Sequence, residues 1–250
     1  MLLTNGCSFV WGDELEGHDT SPPTQWQHTF THILADYLEV PYKNLSNCGN
    51  GNDKIFRDTI NYLSSSEPQP THMVIVWSAW QRTELCESSA DQQRFMKIHP
   101  FDNLTQFSPE RIAQLHYTKW NGAYKWYNTV YNTRADITHG LTKMQAMRMI
   151  CDGRGIKLIQ AQFHERNLEV LAHNLNNAKR KDHTDWRTLT NYQISKLDKP
   201  MDRNGLTSVK ESKTMHDIST ELGDTKEFGH PGEETHKEYA KILYNKFLNM

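Results

Sequence analysis

Apolar positions along this chain fall into runs of two kinds. Met73–Trp77 and Ile156–Ala161 are short and nearly continuous, the pattern of strands covered on both faces, where no polar side has to be presented to water. The apolar opening Met1–Leu3 reads as a further strand that ends in a turn, and a short strand is expected near Tyr42–Leu45, after Val40-Pro41. The other runs recur every three or four residues, which places them on helix faces: Trp26, Phe30, Ile33, Leu34, Tyr37 and Leu38; Ile55, Phe56, Ile60 and Leu63; Leu141, Met144, Met147 and Cys151; Tyr239, Ile242, Leu243 and Phe247. Gly153 and Gly155 stop the third of these helices.

Strand and helix in alternation predict a three-layer α/β/α domain around a parallel sheet of about five strands, with its chemistry at the carboxyl ends of the strands. Residues 1–250 are read as one domain. Two segments interrupt the alternation, an aromatic-rich one at about 86–135 and a highly polar one at about 165–225, and both are read as insertions on the rim. Within the first, Tyr117, Trp120, Tyr124, Tyr127 and Tyr131 form one helical stripe, expected to pack the insertion onto the core, the functional alternative being a pocket wall.

Charge and cysteine content narrow the partners. Lys and Arg number 28 against 30 Asp and Glu, a formal charge of -2, so no long-range attraction to nucleic acid or anionic lipid is expected. The four cysteines, Cys7, Cys48, Cys86 and Cys151, include no CxxC pair, which fits neither a zinc knuckle nor a disulfide scaffold and points to a reducing, cytoplasmic setting. No apolar run reaches the ~20 residues of a membrane span. Oligomeric state leaves no signature.

The candidate chemistry begins at Thr4-Asn5-Gly6-Cys7-Ser8-Phe9-Val10-Trp11-Gly12-Asp13, a small polar pair set between glycines at a strand end. A serine hydroxyl is a weak nucleophile near neutral pH. It needs an imidazole within hydrogen-bond reach, and the imidazole works best when a carboxylate fixes its tautomer. Near the other terminus, Glu227-Phe228-Gly229-His230-Pro231 supplies both groups. Cys7 is the rival nucleophile, but neighbours on an extended strand end point in opposite directions, and the reading preferred for Cys7 is a buried packing residue.

In chain order these blocks resemble those of the SGNH hydrolases, the GDSL-like esterase and lipase superfamily. Gly6-Cys7-Ser8-Phe9 stands where that family has Gly-Asp-Ser-Leu, with Cys7 departing from the usual Asp. Asn44-Leu45-Ser46-Asn47-Cys48-Gly49-Asn50 resembles the Asn-x-x-x-x-Gly loop, and Ser78-Ala79-Trp80-Gln81-Arg82 puts Gln81 where an Asn is usual. The terminal block resembles Asp-x-x-His-Pro with Glu227 replacing the Asp. The resemblance implies a flavodoxin-like SGNH fold, Ser8 as nucleophile, His230 as base and Glu227 as the acid that orients it, Asp224 being its competitor. It implies an oxyanion hole from the N–H groups of Ser8 and Gly49 and the side chain of Gln81, with Gly51 and Ser78 as alternatives. The function implied is a cofactor-free serine esterase that forms an acyl-enzyme from a small-molecule or carbohydrate ester, an O-acetyl sugar being favoured. Relaxed blocks with large insertions also resemble SGNH-like proteins of tailed bacteriophages, so the alternative is a non-catalytic glycan-binding or structural part of a larger assembly such as a phage particle.

Two other signals are weaker. His28 and His32 share a helix face, but Thr29 breaks any HExxH, so no metal is expected and the histidines are read as surface or capping residues. Gly49-Asn50-Gly51-Asn52-Asp53 lacks the spacing of a phosphate loop, and Asn52 or Asp53 is expected to cap the next helix.

Overall fold

Every residue of β1 (Leu2–Asn5) is buried, and the reason is its place in the middle of a parallel sheet. In the computed structural model, β1 lies between β2 (Tyr42–Asn44) and β3 (His72–Trp77), and β6 (Lys157–Gln162) completes a four-stranded sheet ordered β2-β1-β3-β6. Residues 1–17, 25–79, 82–89, 92–98, 133–162, 214–227 and 229–250 are described, with backbone alone at 83, 85–89, 92–98 and 133–138. Leu2 pairs with Tyr42 on one side and His72 on the other, and His72 pairs onward with Lys157.

Side chains alternate across this sheet and divide the core in two. Leu3, Met73, Ile75, Trp77 and Leu158 meet α3 (Asn52–Leu63) and α4 (Thr133–Arg154) through Ile55, Leu63, Leu141, Met144, Met147 and Cys151. On the opposite face Leu2, Val74, Val76 and Ile159 meet α2 (Phe30–Tyr37), α5 (Met215–Leu222) and α6 (Glu233–Leu248) through Phe30, Leu34, Ile218, Tyr239, Leu243 and Phe247. Each fully buried side chain of this size stabilises the fold by about 1.5–3 kcal/mol. The α/β/α architecture is therefore as the pattern predicts, with four strands among the described residues against about five expected.

Three local differences have physical causes. The helix expected across Trp26–Leu38 breaks at Thr29, whose extended backbone and side chain cap α2. Trp26 stays in a 3₁₀ turn (Gln25–His28) and meets Trp11 edge to face at 4.2 Å. The start of the insertion expected at 86–135 lies in an antiparallel hairpin, β4 (Thr83–Ser89) with β5 (Gln92–Ile98); its aromatic stripe lies outside the described residues. Of the polar segment expected at 165–225, the part from Thr214 on packs on the core: Thr214 caps α5 reciprocally with Asp217 while Met215 and Ile218 are buried, and 165–213 lie outside the described residues. No helix among the described residues is long and apolar enough to cross a membrane.

Candidate active site

The chain leaves β1 through Gly6, where an added Cβ would collide with Val10 and come within 3.0 Å of the Val76 carbonyl. That close approach lets a one-turn helix, α1 (Ser8–Trp11), start at once. Cys7 precedes it in extended conformation, fully buried in the core beneath α2 and α6, so its thiol packs as the preferred reading has it. Ser8 opens α1 and is 5% exposed. Gly12, at φ +82°, ends α1 in the left-handed region, its N–H and that of Asp13 both donating to the Ser8 carbonyl. The chain thus folds back beside the serine it has just presented.

His230 arrives from the other terminus on a turn closed by a Thr225–Pro231 bridge. The Lys226 N–H donates to the His230 carbonyl at 2.8 Å, and Gly229 sits at φ +85°. His230 Nε2 lies 3.0 Å from Ser8 Oγ. Its Nδ1 lies 2.6 Å from Glu14 Oε2, and the Phe9 ring meets the imidazole edge-on at 5.6 Å. With Nδ1–H donating to the carboxylate, Nε2 is free to accept the serine proton. Glu14 holds this pose at φ +65°, a conformation that costs a residue with a Cβ about 1–3 kcal/mol and is found where surrounding contacts enforce it. Asp13 Oδ2 stands 3.5 Å from Nε2.

The carboxylate at Nδ1 is therefore Glu14 and not the Glu227 expected there. Glu227 is exposed at the outer end of the turn, because the bonds that close the turn aim His230 inward and leave Glu227 facing water. Asp224, the competitor, is engaged elsewhere. Its carboxylate accepts the Thr235 N–H at 2.7 Å and its carbonyl accepts the Gly232 N–H at 2.7 Å, capping α6. The signal for Glu14 was the acidic pair Asp13-Glu14 just past Gly12, legible only to a reader who knew that the chain doubles back there.

The loop after β2 is stitched to the serine turn. Asn44 Nδ2 donates to the Val10 carbonyl and Asn50 Nδ2 to the Gly6 carbonyl, each at 3.1 Å. Gly49 sits between these ties at φ +71°, where a side chain would be strained. The N–H groups of Ser8 and Gly49 find no acceptor among the described residues, as oxyanion donors require. Gln81 lies outside the described residues. Ser78 is buried and held on both sides: Asn52 accepts its N–H at 2.8 Å and donates to its carbonyl at 3.1 Å, and Arg82 donates to its hydroxyl at 3.0 Å. Asn52 thus ties the β3 loop rather than capping α3, whose N-cap is Gly51. An added Cβ on Gly51 would lie 2.7 Å from the Arg82 carbonyl.

Of the histidines read as surface or capping residues, His236 is fully buried. Its Nδ1 accepts the Phe30 N–H at 3.0 Å, so it caps α2 from inside the core, stacked on Phe30. Burial drives its pKa down to about 3, against a smaller upward pull from Asp224. Glu16, His28 and Glu233 bring three donor atoms within 4.8 Å of one another. The His28–Glu233 pair at 3.4 Å accounts for two of them without an ion.

No protein-family profile matches the chain, and no curated protein does. Among solved structures it is similar to the psychrotrophic esterase EstA of Pseudoalteromonas sp., in a structure inhibited by monoethylphosphonate, at 12% identity and TM-score 0.45 over 100% of this chain and 98% of that one. A member of the lipolytic G-D-S-L family from Veillonella parvula matches at 10% and 0.44, over 100% and 98%. The acetyl xylan esterase Est2A of Butyrivibrio proteoclasticus matches at 12% and 0.45, over 99% of this chain and 63% of that one. Likeness at this level carries no chemistry, which has to be read from the side chains.

Proposed function

We propose that the protein is a serine esterase of the SGNH type, working through an acyl-enzyme with Ser8, His230 and Glu14 as its catalytic chain. One observation carries this reading: a nearly buried serine hydroxyl 3.0 Å from an imidazole whose other nitrogen is 2.6 Å from a carboxylate. Ser8 Oγ attacks the ester carbonyl while Nε2 takes its proton, and Glu14 offsets the positive charge that then forms on the ring. The carbonyl oxygen, now negative, is received by the N–H groups of Ser8 and Gly49, and Gln81 remains the proposed side-chain donor. Collapse expels the alcohol, which leaves with the proton from Nε2. Water then attacks the acyl-serine, gives a proton to Nε2, and the acid departs as that proton returns to Ser8 Oγ. The ester class we put forward is a small acyl group on a carbohydrate, in keeping with the aromatic content of 86–135.

A fluorophosphonate probe tests the reading, because it marks only an activated nucleophile. Labelling of the wild type that disappears in Ser8→Ala and His230→Ala is expected. Absence of labelling in the wild type would return the protein to the class of non-catalytic binders. Labelling that survives Ser8→Ala but vanishes in Cys7→Ala would move the nucleophile to the thiol.

A further inference from the structure

Two adjacent carboxylates clasp one imidazole from opposite nitrogens, and the catalytic chain uses only one of them. Glu14 takes Nδ1, while Asp13, the residue before it, has Oδ2 3.5 Å from Nε2, the nitrogen that also faces Ser8 Oγ. The left-handed backbone at Glu14 belongs to the turn that carries both carboxylates to the ring. Asp13 is only partly exposed, its side chain retaining 20% accessibility.

We infer that Asp13 positions the hydrolytic water of the second half-reaction, an assignment that rests on the acyl-enzyme reading above. Once Ser8 is acylated it has no proton to share, and Nε2 turns to water. Two acceptors 3.5 Å apart can both be reached by one water at ordinary lengths of about 2.8 Å. Such a water donates one O–H to Nε2 and the other to Asp13, which leaves a lone pair for the acyl carbon. In the attack, the bond from water oxygen to carbon forms and one water proton moves to Nε2. The C–Oγ bond then breaks, and that proton ends on Ser8 Oγ. Asp13 takes no proton in the cycle; it holds the water's second hydrogen and so fixes its approach. The competing role, a second counter-charge to the protonated ring, would favour acylation and deacylation alike.

An alcohol separates the two roles, because methanol has a single O–H. It must give that hydrogen to Nε2 and gains nothing from Asp13. With p-nitrophenyl acetate in aqueous methanol, the first-turnover burst of p-nitrophenolate reports acylation, and the ratio of acetate to methyl acetate reports which nucleophile completes the cycle. In Asp13→Ala the burst rate is expected to persist while hydrolysis slows about tenfold, the worth of one hydrogen bond. An acetyl adduct accumulates on Ser8, and the product ratio shifts about tenfold toward methyl acetate. Asp13→Asn, as a second variant, keeps a neutral amide oxygen that still accepts and shifts the ratio the same way by less. An unchanged ratio in Asp13→Ala, whether or not turnover falls, overturns the assignment. A wild type with neither burst nor Ser8 adduct removes the acyl-enzyme reading and this assignment with it, and is told apart because the first failure leaves the wild-type burst intact.

Discussion

The turn after β1 and the turn before α6 both carry carboxylates beside a member of the proposed Ser8–His230 pair, yet they use them differently. In the first, Ser8, Asp13 and Glu14 all face one imidazole. In the second, His230 faces inward alone, while Asp224 caps α6 and Glu227 stands in water. The difference follows from backbone bonding. Gly12 at φ +82° turns the chain back on the serine, whereas the closed turn at Lys226–His230 spreads its neighbours away from the ring. What the imidazole needs is a carboxylate at Nδ1, and its place in the sequence is immaterial so long as the fold delivers one.

The heaviest blow to the first turn is Ser8→Ala, expected to lower ester turnover about 10⁴-fold or more with the melting temperature unchanged, as steady-state rates and thermal melts will show. In α6, just past the second turn, the large effect is on stability and comes from acid. His236 is held neutral by burial, its pKa lowered from 6.5 to about 3. Between those values the unfolded chain binds a proton that the folded chain refuses. Stability is therefore full above about 6.5 and falls as the pH drops toward 3, the moment at which protonated Nδ1 also stops accepting from Phe30. Melting temperature against pH should slope down through this window in the wild type and flatten in His236→Asn. A smaller effect is expected of Asp224→Ala, which strips the acceptor from the Thr235 N–H and should cost about 0.5–2 kcal/mol in denaturant unfolding, with most ester turnover kept.

The layers of the fold were legible because burial writes itself into the chain: Met73–Trp77 is continuous and apolar since both its faces are covered. The meeting of Ser8 with His230 was legible, because glycine and proline mark the turns that hold them. Three things were hidden. α5 reads as polar, MHDISTEL, and only Met215 and Ile218 betray its buried side. Glu14 was hidden because its role depends on a left-handed backbone at a residue other than glycine, which no local pattern announces. The ties from Asn44, Asn50 and Asn52 were missed for a related reason: a carboxamide that stitches two loops looks, in one dimension, like any loop asparagine.

The comparison turns on which carboxylate serves the ring, and the rate of fluorophosphonate modification of Ser8 measures this in Glu14→Gln and Glu227→Gln side by side. The account predicts a loss of about 10²–10⁴-fold in Glu14→Gln, where Nδ1 loses its charged acceptor, and the wild-type rate in Glu227→Gln. A loss confined to Glu227→Gln, with Glu14→Gln as reactive as the wild type, would contradict it.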